Sequence, residues 1–168
     1  IIDGAHEIGM KVHVGFRPAL WGYYGPFDQF FRTKFFDDHP QWRTVDRDGT
    51  PVSRMSWAFP QVRKRQIDVL AEAVSFGADG AHIVFNRAWP VVLYEQPFID
   101  TFQKQYGVDP RNIDETDPRI FKVRSDIVTT FIREVRAMLD REEKVRKNGK
   151  RLELSLCVMS NEYDNLQF

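Results

Sequence analysis

The chain has 168 residues, of which 42% are hydrophobic and 29% are charged, as in an ordinary globular protein. Its 24 Lys and Arg residues equal its 24 Asp and Glu residues in number, and this neutral balance argues against a nucleic-acid partner, which would need a basic surface. No apolar run approaches the roughly 18 residues of a membrane span. The single cysteine, Cys157, cannot form an internal disulfide, and it leaves the compartment open, including secretion after removal of a signal peptide.

The N-terminal segment changes from a helical pattern to a strand pattern. Residues 1–9 predict the last turns of a helix that ends at Gly9. Residues 11–16, KVHVGF, alternate between two sides, which is typical of a strand, and Pro18 ends it. One side carries Val12, Val14 and Phe16, and the other side carries His13, Gly15 and Arg17.

A long connection follows over residues 18–60. It is rich in aromatic residues, glycine, proline and charge, and so many aromatics argue against disorder. Connections of this length inside a compact domain are usually functional. Within it, residues 47–50 (RDGT) predict a turn at the tip of a small hairpin.

The rest of the chain alternates helices and strands. Residues 60–76 predict an amphipathic helix that ends at Gly77, and residues 80–86 predict a second strand. Residues 93–106 predict a second crossover helix, and Asp117 with Pro118 marks the start of a long one. Residues 151–158, RLELSLCV, predict a third strand with Leu152, Leu154, Leu156 and Val158 on one side and Glu153, Ser155 and Cys157 on the other.

This order of elements predicts a parallel α/β sheet with crossover helices, built as a barrel or as an open doubly wound sheet. No glycine-rich phosphate loop follows a strand, and the long aromatic connection suits a barrel, whose βα loops build the site. We therefore expect a partial (β/α)₈ barrel with parallel strands at about 11–16, 80–86 and 151–158. A whole barrel needs about 250 residues, so residues 1–168 are expected to form a single incomplete domain, the central portion of a barrel with both ends truncated.

Residues that follow the strands are the candidates for binding and catalysis, because sites in parallel folds lie at the carboxyl ends of strands. The candidates for ligand contact are Arg17, Trp21, Asn86, Arg87, Trp89 and Asn161. Guanidinium, amide and indole groups suit a polyhydroxylated ligand, because they offer donors, an acceptor and an aromatic face. Structural roles compete with this interpretation: Arg17 as a rim ion pair, Arg87 as a partner of Glu95, and the tryptophans as core residues.

Glu162 is the candidate catalytic carboxylate, since it follows the third strand and glycoside hydrolysis usually uses two carboxyl groups. A solvated loop glutamate is the competing interpretation. His13 and His82 fall on the polar sides of their strands, where a packing role competes with a role as a base. The two histidines suggest half of a metal site, but the sequence offers no obvious third ligand.

Several segments together carry a family resemblance that spans nearly the whole chain. They are GMKVHV at 9–14, HPQWRTVDRDG at 39–49, FPQVR at 59–63, GADG at 77–80 and YGVDP at 106–110 with Asp117-Pro118. These segments resemble those of bacterial glycoside-hydrolase-like (β/α)₈ barrel proteins. The resemblance implies a barrel fold, a polysaccharide or glycoside ligand, hydrolysis of an O-glycosidic bond and no organic cofactor.

One position departs from the pattern of that family. Proteins of this type usually carry an acid near the end of the strand that follows Asp-Gly, and Val84 occupies that position here. Two hypotheses follow: a hydrolase that uses Glu162 and another acid, or a catalytically inactive carbohydrate-binding barrel. We also expect the remainder of a barrel or a second copy to cover the exposed sheet edges, because open edges and apolar faces attract partners.

Overall fold

The computed structural model describes residues 1–17, 21, 25–27, 30, 32–85, 90–146 and 148–158. Its α-helices are α1 (Ile2–Glu7), α2 (Lys34–Asp38), α3 (Pro60–Ser75), α4 (Gln96–Tyr106) and α5 (Pro118–Arg146). Its strands are β1 (His13–Phe16), β2 (Arg43–Val45), β3 (Pro51–Met55), β4 (Gly80–Val84) and β5 (Glu153–Cys157). Short 3₁₀ turns occur at Gly25–Phe27, Pro40–Trp42 and Pro110–Asn112. Among the described residues, no helix combines the length and apolarity needed to cross a bilayer.

The principal sheet has three parallel strands in the order β1-β4-β5. Their register aligns His13 with Gly80 and Glu153, and it aligns Gly15 with His82 and Ser155. The parallel pairing of the three predicted strands is confirmed, and each crossover between them contains helices, as the alternating pattern indicated. Since the strands run in the same direction, their carboxyl ends lie at the same end of the sheet.

The two faces of this sheet have opposite polarity. Its apolar face packs on α3 and α5 and contributes Val14, Phe16, Ala81, Ile83 and Leu154 to the core. Helix α3 adds Val62, Leu70 and Val74, and α5 adds Phe131, Val135 and Leu139. Burial of this apolar surface is the main stabilising contribution. The other face carries the polar side chains of the alternation, which are half-buried rather than enclosed.

The expected partial (β/α)₈ barrel is wrong. The described residues form an open three-stranded parallel sheet and a separate two-stranded antiparallel sheet, with no closed barrel, so the fold is a small mixed α/β domain. A barrel closes only when its first and last strands pair, whereas here β1 and β5 lie at opposite edges with β4 between them. The expected cover for these edges stays a prediction.

The hairpin predicted at residues 47–50 is confirmed, with β2 and β3 paired antiparallel around it. Gly49 adopts φ of 89°, a conformation that glycine takes at little cost. The hairpin is attached to the segment before α4, because the Tyr94 N–H donates to the Val45 carbonyl oxygen at 2.9 Å. The Trp57 N–H donates to the Val91 carbonyl oxygen at the same distance, so the long connection is tied to the core rather than loose.

Helices α3 and α5 are joined by an ion pair between a buried guanidinium and a partly exposed carboxylate. The Arg63 guanidinium donates to both carboxylate oxygens of Glu134, at 2.9 and 3.1 Å, and to the Trp57 carbonyl oxygen at 2.7 Å. A guanidinium that donates to both oxygens of a carboxylate fixes the relative position of two elements in addition to pairing their charges. It holds the start of α3, and therefore the wall of the cavity described below, against the middle of α5.

Candidate functional site

The predicted location of the site is the end of the parallel sheet where the carboxyl ends of its strands lie. Continuing the register beyond Phe16 and Ile83 places Arg17 level with Val84, which pairs with Cys157. Arg17 is exposed, and Val84 and Cys157 are half-buried. Val84 lies on the polar face beside His82, where the resemblance anticipated an acid, so the described end of the central strand carries no carboxylate. Five of the predicted site residues lie outside the described residues, namely Asn86, Arg87, Trp89, Asn161 and Glu162.

A cavity of about 410 Å³ lies beside the edge of β1 that pairs with no described strand. It brings together the two predicted ligand-binding residues that the structure describes, Arg17 and Trp21. Strand β1 forms one wall, and α3 and the start of α2 form the others. The remaining lining residues are Val14, Gly15, Phe16, Thr33, Lys34, Phe35, Arg65, Gln66, Val69, Leu70 and Ala73. Its size lies in the range of small-molecule sites, which are mostly apolar with a few placed polar groups.

Trp21 is both a core residue and a wall of this cavity. It is 7% exposed, and its ring centroid lies 5.2 Å from that of Phe35. Its carbonyl oxygen accepts hydrogen bonds from the N–H and the hydroxyl of Thr33, at 3.0 and 3.2 Å, which ties the residue to the start of α2. Its buried indole Nε1–H finds no acceptor among the described residues. A buried donor without a partner is costly, so a ligand oxygen that reached it would be stabilising.

The other two described tryptophans have structural surroundings. Trp57 is fully buried, with its ring centroid 3.9 Å from that of Phe131 and 6.0 Å from that of Phe85. Trp42 stacks on His39 at 4.1 Å. The core interpretation of Trp57 is therefore confirmed, and Trp21 is the described tryptophan that also lines the cavity beside β1.

The polar face of the sheet carries a hydrogen-bonded chain across all three strands. The Nε2 atom of His13 lies 3.1 Å from a carboxylate oxygen of Glu153, and its Nδ1 atom lies 3.1 Å from the Ser155 hydroxyl. The same hydroxyl lies 2.8 Å from Nδ1 of His82. Gly80 separates His13 from Glu153 in the register, and a Cβ at Gly80 would overlap the Glu153 carbonyl oxygen.

The charge of Glu153 sets the direction of the hydrogen bonds in this chain. A hydrogen bond and charge attraction from Lys11, together with His13, lower the pKa of Glu153 below its ordinary value, so the carboxylate accepts. Nε2–H of His13 then donates to Glu153. The Ser155 hydroxyl lies between the Nδ1 atoms of the two histidines and also within 3.4 Å of the Ala81 carbonyl oxygen, to which it can donate. These contacts link the two imidazoles through one hydroxyl. Within the described ranges, no three His, Cys, Asp or Glu side chains are placed to hold a metal.

Sequence reasoning placed His13 and His82 on the polar faces of their strands but assigned no role to Glu153 and Ser155. The available signal was the shared alternation, because residues 153, 155 and 157 fall on the polar side of the third strand. What the alternation alone could not supply was the register, which decides that Ser155 lies between the two histidines.

A third feature is the buried carboxyl of Glu95, which is 1% exposed. Its oxygens accept hydrogen bonds from the N–H of Leu93, at 3.0 and 3.1 Å, and from the N–H of Val45 at 3.3 Å. Burial raises the pKa of Glu95 to about 7, although the backbone N–H donors and the Ser56 hydroxyl oppose the rise. The carboxyl thus fastens the β2-β3 hairpin to the segment before α4, in a structural role.

No model of a known protein family matches the chain, and no curated protein matches it.

Proposed function

We propose that this chain binds carbohydrate in the cavity beside β1, which Arg17 lines from the carboxyl end of that strand. The observation that carries the proposal is that Arg17 and Trp21, both selected as ligand contacts from the sequence, line one cavity of suitable size. Sugar rings present apolar C–H faces and polar hydroxyls at their rims. An aromatic wall with guanidinium and amide groups nearby matches both properties.

Binding without cleavage is the form of this proposal that the described residues favour. Hydrolysis of a glycosidic bond generally needs two carboxyl groups about 5 to 9.5 Å apart, on either side of the bond. Val84 stands where the central strand would supply one, and valine neither donates a proton nor attacks a sugar. No Asp or Glu is among the residues that line the cavity within the described part of the chain.

Hydrolysis is a second candidate, supported by the direction of β5. This strand runs parallel to β1, so its carboxyl end lies at the same end of the sheet, and Glu162 follows it in sequence. We propose that Glu162 would act as the acid in such a reaction, with a second carboxylate supplied from elsewhere. The resemblance to glycoside-hydrolase-like proteins supports both candidates equally.

Binding is tested by titrating the purified chain with a panel of soluble oligosaccharides in a calorimeter. We expect at least one oligosaccharide to bind, and we expect Arg17→Gln and Trp21→Phe to weaken it while the circular dichroism spectrum stays unchanged. The control is Arg133→Gln, which removes an exposed charge from α5 away from the cavity. Failure of every glycan to bind, or equal weakening by the control, would contradict the proposal.

Hydrolysis is tested by measuring release of reducing ends from the oligosaccharides that bind. Release that is lost in Glu162→Gln, with binding retained, would favour the hydrolase. Binding with no release by the unmodified chain would favour the carbohydrate-binding form, and release that survives Glu162→Gln would remove Glu162 from the mechanism.

A further inference from the structure

The charged side chains among the described lining residues of the cavity beside β1 are all cationic. Three cationic residues line it, namely Arg17, Lys34 and Arg65. Among its described lining residues there is no Asp or Glu. Since the chain as a whole has equal numbers of acids and bases, the choice of cations for the described lining reflects the position of the cavity and not the composition.

Arg65 differs from the two basic residues that precede it on α3. Arg63 pairs with Glu134 at 2.9 Å, and Lys64 pairs with Asp68 at 2.6 Å. Arg65 is exposed, and it makes no ion pair or hydrogen bond with any described residue. An exposed guanidinium that lines an apolar cavity and pairs with no described carboxylate is therefore available to an anion from outside.

The second rim cation is held only by a solvent-exposed pair. Lys34 contacts Asp38 at 2.5 Å, one helical turn later on α2, with side chains that are 85% and 46% exposed. Exposed pairs of this kind contribute little and exchange readily, because water and salt screen them. The Lys34 ammonium can therefore turn toward a second anionic partner at small cost.

We infer that the ligand of this cavity is an acidic sugar, in which a ring carboxylate pairs with Arg65 while the ring lies against the aromatic wall formed by Trp21 and Phe35. The inference rests on the proposed function and adds the chemical class of the sugar. A planar guanidinium matches a carboxylate through two parallel N–H···O bonds, a geometry that neutral hydroxyls cannot reproduce. Val69, Leu70 and Ala73 supply the apolar surface beneath the ring.

The experiment compares three probes by calorimetry at low salt: oligogalacturonate, the neutral malto-oligosaccharide of equal length, and decanoate. We expect oligogalacturonate to bind more tightly than the neutral sugar, and we expect Arg65→Gln to weaken it by about tenfold or more. Arg65→Lys keeps the charge but loses the two parallel N–H donors, so its affinity should lie between those of the unmodified chain and Arg65→Gln. Lys64→Gln is the matched control, since it removes the neighbouring charge of the same helix outside the cavity.

The outcomes separate the two proposals. Equal binding of both sugars, or equal weakening by Lys64→Gln, would overturn the acidic class and leave carbohydrate binding in place. Binding of decanoate alone would overturn both, because an apolar anion without a sugar ring would then satisfy the cavity. Tighter oligogalacturonate binding that weakens as salt is raised, and that depends on Arg65 and not on Lys64, would support the inference.

Discussion

Replacing Glu95 by glutamine should change how stability depends on pH. Burial raises the pKa of Glu95 from its ordinary 4.5 to about 7 in the fold. Below pH 4.5 the carboxyl is protonated in both the folded and the unfolded chain, so it contributes no pH dependence there. As pH rises from 4.5 toward 7, the unfolded chain releases the proton while the folded chain retains it, and the free energy of unfolding falls. Above pH 7 both states are ionised, and the penalty is constant.

The size of this effect follows from the displacement of the pKa. Each pKa unit corresponds to about 1.4 kcal/mol, so the move from 4.5 to about 7 destabilises the ionised fold by about 3 kcal/mol. Glutamine carries no charge at any pH and cannot incur this penalty. The stability of Glu95→Gln relative to the unmodified chain should therefore improve by about 3 kcal/mol between pH 4.5 and pH 8.

The measurement is urea unfolding, followed by circular dichroism, at half-unit pH steps. The difference between the two proteins isolates Glu95, because the other titrating groups are common to both. Glu72→Gln provides the control, since Glu72 is exposed on α3 and its replacement should give a difference that stays flat. If the free energy of unfolding of Glu95→Gln relative to the unmodified chain stays constant or falls as pH rises, burial does not raise the pKa of Glu95.

Three further predictions concern packing and the polar face. Phe131→Ala should destabilise the fold by about 3 to 5 kcal/mol in urea unfolding, because the ring is fully buried against Trp57; a loss below about 1 kcal/mol would contradict this packing. Gly80→Ala should cost about 1 to 3 kcal/mol, since its Cβ would overlap the carbonyl of Glu153. Gly4→Ala, with open space around it in α1, should be neutral or stabilising by up to about 1 kcal/mol, because alanine favours a helix more than glycine does. Ser155→Ala should cost about 1 kcal/mol and change the ¹⁵N shifts of both strand histidines; unaltered imidazole spectra would argue against the chain of hydrogen bonds.

The sheet could be predicted strand by strand, but its overall closure could not. Alternation of apolar and polar residues placed β1, β4 and β5 within a few residues of their observed bounds, and the intervening helices required that they run parallel. Closure into a barrel is a different property, because it depends on strand pairings that no single strand pattern records. The barrel was predicted by assuming that the pattern of β1, β4 and β5 continues into further strands, and the described residues form no closed barrel.

The residues of the site were likewise predictable only where a local pattern indicated them. Arg17 could be selected in advance, because it directly follows a strand whose direction was known. Arg65 could not, since it lies within a run of three basic residues, and its lack of a described ionic partner depends on where Glu134 and Asp68 fall. Glu95 looked like a candidate partner for Arg87, whereas its oxygens accept hydrogen bonds from backbone N–H groups 2 and 50 residues away in sequence.

By itself the sequence determined the identity and direction of the parallel strands and of the helices between them, because helix and strand periodicity are set by neighbours within a few residues. It also determined which side of each strand is polar. It did not indicate the short helix α2 inside the long connection. Only the tertiary structure decided the register that brings His13, Ser155 and His82 together, and the cavity that Arg17 shares with Arg65. Such contacts join residues tens of positions apart, and their free energy depends on the packing of whole helices against the sheet rather than on any local pattern.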